Sequence, residues 1–322
     1  MNNLTKNEIP IFFSINDQYA PYLSVAILSI VDHASSENHY RIIVLEQDLS
    51  EQNKHILSQL GNDNVKVTFT KIKDEDLQKR MAGEHTKLKG DYFTLTIYYR
   101  LFIAEMFPQY DKALYLDADI VCNTDIADLY HIDLKGNFLA AAHDTFAADY
   151  PQTTTYAEKV IGIPIDHYFN SGILLLDLKK LRDHHFTDHF LNLLNKYHFD
   201  IMAPDQDYLN VICRNHTLGL PQKWNTMPTI HGEQVTDPKI VHYALCGKPL
   251  HYDDFANEKD FWHYAKHSPY LECINQEKSK FSAADAESDH RHVRYLQRKA
   301  LTLVDNPITF KKIQEKTGEV SL

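Results

Sequence analysis

Residues 9–33, IPIFFSINDQYAPYLSVAILSIVDH, decide the fold class. IPIFFSI is apolar at every position but Ser14, as expected of a strand covered on both faces. Asn16 and Asp17 then turn the chain, and Leu23, Ala26, Ile27 and Ile30 recur at three and four, the spacing of one helical face. Residues 40–45 read as a second strand, Ser50 with Asn53 opens a helix carrying Ile56, Leu57 and Leu60, and residues 65–69 alternate as a third strand. Strand, helix, strand, helix, strand in this order predicts a parallel, doubly wound α/β sheet.

Further along, KALYLDADIVCN (residues 112–123) places Asp117 and Asp119 directly after a short apolar run that reads as an interior strand. Ligands bind at such strand ends. Two carboxylates one residue apart cannot both be buried and ionised without a counter-charge, and a hard divalent cation supplies one. Spacing alone does not distinguish a metal site from a plain strand-to-turn transition, because Asp74 with Asp76 and Asp205 with Asp207 repeat it. Such pairs are also surface charge or helix caps.

The charged segment 73–89 reads as a mobile excursion. Residues 94–107 return to helix, with Arg100 among apolar neighbours, where it needs either an anion or a structural salt-bridge partner. Residues 138–142 form a strand ending near Asp144, and YFNSGILLL (168–176) combines a turn with a very apolar strand. Helices follow at 186–197 and 205–213; the second opens with PDQD, so Asp205 by itself reads as an N-cap. Residues 239–243 form a short strand ending in His242, followed by ALCGKP. HRHVRYLQRKALTLV (290–304) is one basic helix in an acidic chain.

With 322 residues the chain can bury a sizeable core. Its 33 Lys and Arg against 44 Asp and Glu leave a net charge of −11, which repels phosphate backbones, so no nucleic-acid partner is expected. The four cysteines, Cys122, Cys213, Cys246 and Cys273, form no C-x-x-C pair and suggest neither a zinc site nor a disulfide framework. No signal peptide or apolar span is legible, and a cytoplasmic protein is expected.

Taken in order, INDQYAPYLSVAILSI, TIYYRL, LYLDADIV, AAHDTF, YFNSGILLLDL, PDQDYLN and IVHYALCGKP resemble the family 8 retaining glycosyltransferases, over roughly residues 9–265. The resemblance implies a GT-A-type nucleotide-sugar-binding fold, Rossmann-like, with a mostly parallel central sheet flanked by helices. It implies a catalytic domain at 9–265, leaving 266–322 as a C-terminal helical extension. Asp117, Asp119 and His242 would then bind Mn²⁺ or Mg²⁺, the imidazole favouring Mn²⁺. Donor-binding positions would be Ile15, Asn16 and Asp17 at the uridine, Arg100, Ala118, Asn170 and Ser171, with Gly247 and Lys248 at the diphosphate. Asp144 aligns with the positions around the hexose hydroxyls, and Asp205 and Gln206 with the pair beneath the anomeric carbon. Gln206 is a poor nucleophile, because an amide oxygen is weakly basic, which favours front-face transfer over a covalent double displacement.

The implied function is metal-dependent transfer of a hexose from a UDP-sugar to an oligosaccharide, lipid-linked glycan or glycoprotein of the bacterial surface. The basic helix has two uses open to it, peripheral contact with an anionic membrane or packing on the acidic body of the chain. Three positions depart from the family pattern: Leu245 stands for a glycine, Leu250 for a tryptophan and Asn16 for an aspartate. The rivals are an aspartyl-nucleophile phosphatase using Asp117 and Asp119, and an inactive glycosyltransferase-like partner subunit.

Overall fold

The structure, a computed structural model, describes residues 8–73, 77, 79–81, 95–228, 235–253 and 255–322. Most of segment 73–89, together with Thr94, Asp74 and Asp76, lies outside these residues. The chain opens with β1 (Glu8–Ser14), α1 (Ala20–His33), β2 (His39–Glu46), α2 (Glu51–Ser58) and β3 (Val65–Lys71). There follow β4 (Lys112–Leu116), β5 (Ile120–Cys122), β6 (Leu139–Ala142), β7 (Ile173–Asp177), α3 (Phe186–Tyr197), α4 (Pro204–Ile212), β8 (Thr217–Leu220) and β9 (Ile240–His242). Four helices end the chain: α5 (Glu258–Ala265), α6 (Leu271–Lys280), α7 (Ala283–Leu303) and α8 (Phe310–Thr317).

Two compact units emerge, one of residues 1–71, 113–133 and 221–291, the other of 72–112, 134–220 and 292–322. In the first, the sheet runs β3-β2-β1-β4, with β1 parallel to β2 and β4 and β2 parallel to β3. The continuous burial of Ile9–Phe13 explains why that strand is apolar on both faces. Ser50 caps α2 by accepting from the Asn53 amide, as its position in the sequence suggests. A separate antiparallel ribbon pairs Ile120 with His242 and Cys122 with Ile240. Ser29 anchors that ribbon to α1, its Oγ accepting from the Cys122 amide at 2.9 Å.

The second unit has the order β7-β6-β8, with β6 antiparallel to β7 and parallel to β8. Expected helix 94–107 is instead a 3-10 turn, Leu95–Leu101, followed by the short α-helix Ile103–Met106. Arg100 Nε donates to the Ile97 carbonyl at 3.2 Å within that turn. The turn and apolar strand expected within 168–176 are both present: Asn170 Oδ1 accepts from the Gly172 amide at 2.9 Å and bends the chain, and the strand begins at Ile173. In α7, Lys299 turns inward to the Ile201 carbonyl at 3.1 Å, while Arg294, Tyr295, Arg298 and Leu301 are exposed. Phe310 of α8 is buried against Phe199 and Tyr208.

Candidate active site

The register of the β5–β9 ribbon brings residues far apart in sequence together. Ile120 opposite His242, with the Tyr243 amide donating to the Asp119 carbonyl at 2.9 Å, sets His242 beside the strand end of β4. Asp117, Asp119 and His242 each offer one ligand atom within 4.8 Å of the others. His242 Nδ1 meets Asn225 Oδ1 at 3.0 Å, which makes Nδ1 the protonated nitrogen and leaves Nε2 the acceptor. That Nε2 faces Asp119 Oδ1 at 3.4 Å and Asp117 Oδ2 at 3.7 Å. Three acceptors so disposed repel unless a proton or a metal ion lies among them. Two carboxylates and an imidazole fit a divalent ion of the Mn²⁺ kind, so the residues present suit the implied metal.

Lys248 is buried beside them, its Nζ donating to Asp119 Oδ2 and, at 2.6 Å, to the Tyr243 carbonyl, and it lies 5.6 Å from the Tyr22 ring centroid. Burial opposes ionisation of Asp119, but the Lys248 ammonium outweighs it and holds the carboxyl well below its ordinary range. Ala118, between the two aspartates, is buried. Gly247 is a place of close approach, where an added Cβ would sit 2.7 Å from Phe255 Cζ.

At the end of β1, Ile15 is buried and Asn16 accepts from the Gln18 amide at 3.1 Å. Asp17 Oδ1 accepts from the Ser50 amide at 2.8 Å and Asn53 Nδ2 at 2.9 Å, tying this turn to α2. Burial is the largest single influence on Asp17 and opposes its ionisation, but these bonds together outweigh it and lower its pKa.

The other expected residues gather within the second unit. Arg100 Nε pairs with Asp205 Oδ2 at 3.1 Å, and its Nη1 donates to the Ser171 carbonyl at 2.7 Å. Asp205 is therefore not the N-cap of α4: Ala203 holds that position, and the Asp205 carboxylate is drawn to Arg100 and to Ser171 Oγ at 2.9 Å. Gln206 Oε1 accepts from the Ser171 amide at 3.1 Å and Asn170 Nδ2 at 3.3 Å, while Nε2 donates to Asp144 Oδ2 at 2.8 Å. Asp144 also caps a short helix, Thr145–Ala148, through the Ala147 amide.

A family model described as Glycosyl transferase family 8 matches residues 10–254. The chain belongs to glycosyltransferase family 8. A Haemophilus influenzae protein named only as a glycosyltransferase is 31% identical over 267 residues, 82% of this chain and 75% of that protein. The lipopolysaccharide 1,2-glucosyltransferase of Escherichia coli K12 is 27% identical over 263 residues, 77% of this chain and 75% of that enzyme. Among solved structures, galactosyltransferase LgtC in complex with donor and acceptor sugar analogs superposes with a TM-score of 0.67 at 27% identity, over 81% of this chain and 96% of LgtC. Bifunctional WbbM gives 0.72 at 24% identity over 86% of this chain, a likeness of fold, and this chain spans 53% of it. The fold is accordingly of the GT-A type, as the motif order implies, and family 8 membership sets the phosphatase reading aside.

The family 8 departures now have positions. Leu245 is exposed with φ +57°, the left-handed region in which glycine is at ease. Leu250 is fully buried, in a core with Tyr22, Val25, Val241, Tyr243 and Phe261.

Two residues escaped the sequence reading. Asn225, which orients His242, carries no local signal. Asp207 belonged to a visible D-x-D pair but is fully buried, accepting from the hydroxyls of Tyr156 at 2.6 Å and Tyr168 at 2.7 Å. Burial, opposed by those bonds, raises its pKa to about 6. All nine residues of α4 are buried, a tertiary fact that its charged opening conceals.

Proposed function

We propose that this family 8 member is a metal-dependent retaining glycosyltransferase that moves a hexose from a UDP-sugar to a glycan or glycoprotein acceptor of the bacterial cell surface. The observation that carries it is the convergence of Asp117, Asp119 and the Asn225-oriented Nε2 of His242. Those three residues hold Mn²⁺ or Mg²⁺, which when bound supplies positive charge to the diphosphate leaving group. Lys248, with Gly247 giving its loop room, adds a fixed ammonium for the same oxygens. Asn16 and Asp17, next to Ile15, receive the uridine. Arg100, Asp144, Asn170 and Ser171 orient the hexose, and Ala118 packs under the donor.

Asp205 and Gln206 lie beneath the anomeric carbon in this reading. Neither is disposed as a nucleophile: the Asp205 carboxylate is held by Arg100 and Ser171, and the Gln206 amide oxygen already accepts two hydrogen bonds. This favours front-face transfer, in which the departing phosphate oxygen takes the acceptor proton while Gln206 and Asp144 hold the sugar in place. Residues 9–265 form the catalytic domain and 266–322 its extension. Among the described residues no helix is long and apolar enough to cross a membrane. Exposed Arg294, Tyr295, Arg298 and Leu301 on α7 suit peripheral contact with an anionic bilayer.

Release of UDP from a panel of UDP-sugars, measured with Mn²⁺ or with EDTA, tests this directly. Activity is expected with Mn²⁺, abolished by chelator, and reduced about 10³-fold in kcat/KM by Asp119→Asn, since the metal supplies several kcal/mol of charge stabilisation. Turnover indifferent to both would overturn the metal-dependent reading, and no UDP release from any donor would favour the inactive-subunit reading.

A further inference from the structure

Lys248 sits on a tight turn: its carbonyl accepts from the amides of His251 at 3.0 Å and Tyr252 at 3.2 Å. Residues 251–253 are each tied to helices beyond residue 254, where the family match ends. His251 Nε2 meets Glu277 Oε1 of α6 at 3.0 Å, and its ring stacks on Phe281 at 4.4 Å with a 4° interplanar angle. Tyr252 donates its hydroxyl to Asp289 Oδ2 of α7 at 2.7 Å, its ring edge-on to Phe281 at 5.2 Å. Asp253 pairs with Lys278 at 2.6 Å, an exposed contact of small energetic weight. Glu277 also receives the Tyr22 hydroxyl at 3.5 Å, and Tyr22 is the ring over which the Lys248 ammonium lies.

We infer that α6 and the first turns of α7 act as a strap, with Glu277 and Asp289 as positioning residues that hold the Lys248 turn in register with Asp119. The physical need for a strap is local. Leu245 enters this loop in a left-handed conformation that favours glycine, and that strain works against the short-range backbone bonds of the Lys248 turn. Two hydrogen bonds to carboxylates on α6 and α7 restrain it from outside, each stronger than a neutral pair. All these contacts lie within the first unit.

The inference rests on the UDP-sugar reading for its functional consequence but not for the strap itself, so the test has two arms on the full-length protein. Hydrogen–deuterium exchange, without ligand, is expected to quicken about tenfold at the His251 and Tyr252 amides in a Glu277→Ala, Asp289→Ala double variant, with β1–β3 unchanged. Glu277→Gln, which keeps an acceptor, is expected to stay slow. By calorimetry with Mn²⁺, UDP should bind the double variant about tenfold more weakly, and Tyr252→Phe, which keeps the ring packing, about threefold more weakly. Should the double variant fail to fold, Tyr252→Phe decides. Unchanged exchange at these amides overturns the strap. Quickened exchange in a protein whose wild type binds no UDP keeps the strap and overturns the donor reading. Quickened exchange with unaltered UDP affinity overturns the positioning role.

Discussion

The two polar clusters differ in how far their groups satisfy one another. In the first unit, Asp117 Oδ2, Asp119 Oδ1 and His242 Nε2 point acceptors at each other, while Lys248 donates to Asp119 Oδ2 and the Tyr115 hydroxyl to Asp117 Oδ1 at 3.1 Å. In the second, donors and acceptors close on themselves: Arg100 on Asp205, Ser171 on Asp205 and Gln206, Gln206 on Asp144, and Tyr156 and Tyr168 on Asp207. An arrangement of the first kind is stable only with a cation or proton added, whereas the second is preorganised without a ligand. The contrast separates a place that recruits charge from one that is already closed on itself.

Three experiments press on that contrast, beginning with the largest effect. Asp207 has a folded-state pKa of about 6, above its unfolded value, so its contribution to stability is complete below about pH 4 and is lost as pH rises through 6. That limb amounts to about 3 kcal/mol, and Asp207→Asn is expected to flatten it in urea unfolding curves taken from pH 4 to 7. An unaltered slope would mean that the second cluster is less closed than its hydrogen bonds imply. Next, Asn225→Ala is expected to raise the Mn²⁺ concentration for half-maximal UDP release at least about tenfold with the fold intact, because His242 loses the bond that fixes its tautomer. An unchanged Mn²⁺ requirement would break the first half of the contrast. The smallest effect is expected of Leu245→Gly, which relieves the left-handed backbone but loosens the unfolded chain, for a net gain of about 0.5 kcal/mol in unfolding free energy.

Much of this was legible from residue order. The repeated alternation of strand and helix through residue 71 is a local pattern, and β1, α1, β2, α2 and β3 fall where periodicity puts them. Asp117 and Asp119 stood out because the apolar run before them had to be a strand. Arg100 is recognisable as a cation in need of a partner, but its partner, Asp205, lies over a hundred residues away in a stretch that, taken by itself, resembles a helix cap. Asp207 was passed over because burial depends on what packs around α4, and Asn225 because nothing in its neighbours marks it as facing His242.

The sequence by itself determined the α/β class, the strand-end position of the two aspartates and, through the order of its motifs, the resemblance to family 8. Those properties depend on local periodicity and on motifs whose spacing survives without coordinates. Only the tertiary structure decided that Asn225 sets the tautomer of His242, that Asp205 belongs to Arg100, and that Glu277 and Asp289 reach the Lys248 turn. Each of these is a contact between segments distant in the chain, created by strand register and helix packing, and no local pattern encodes it.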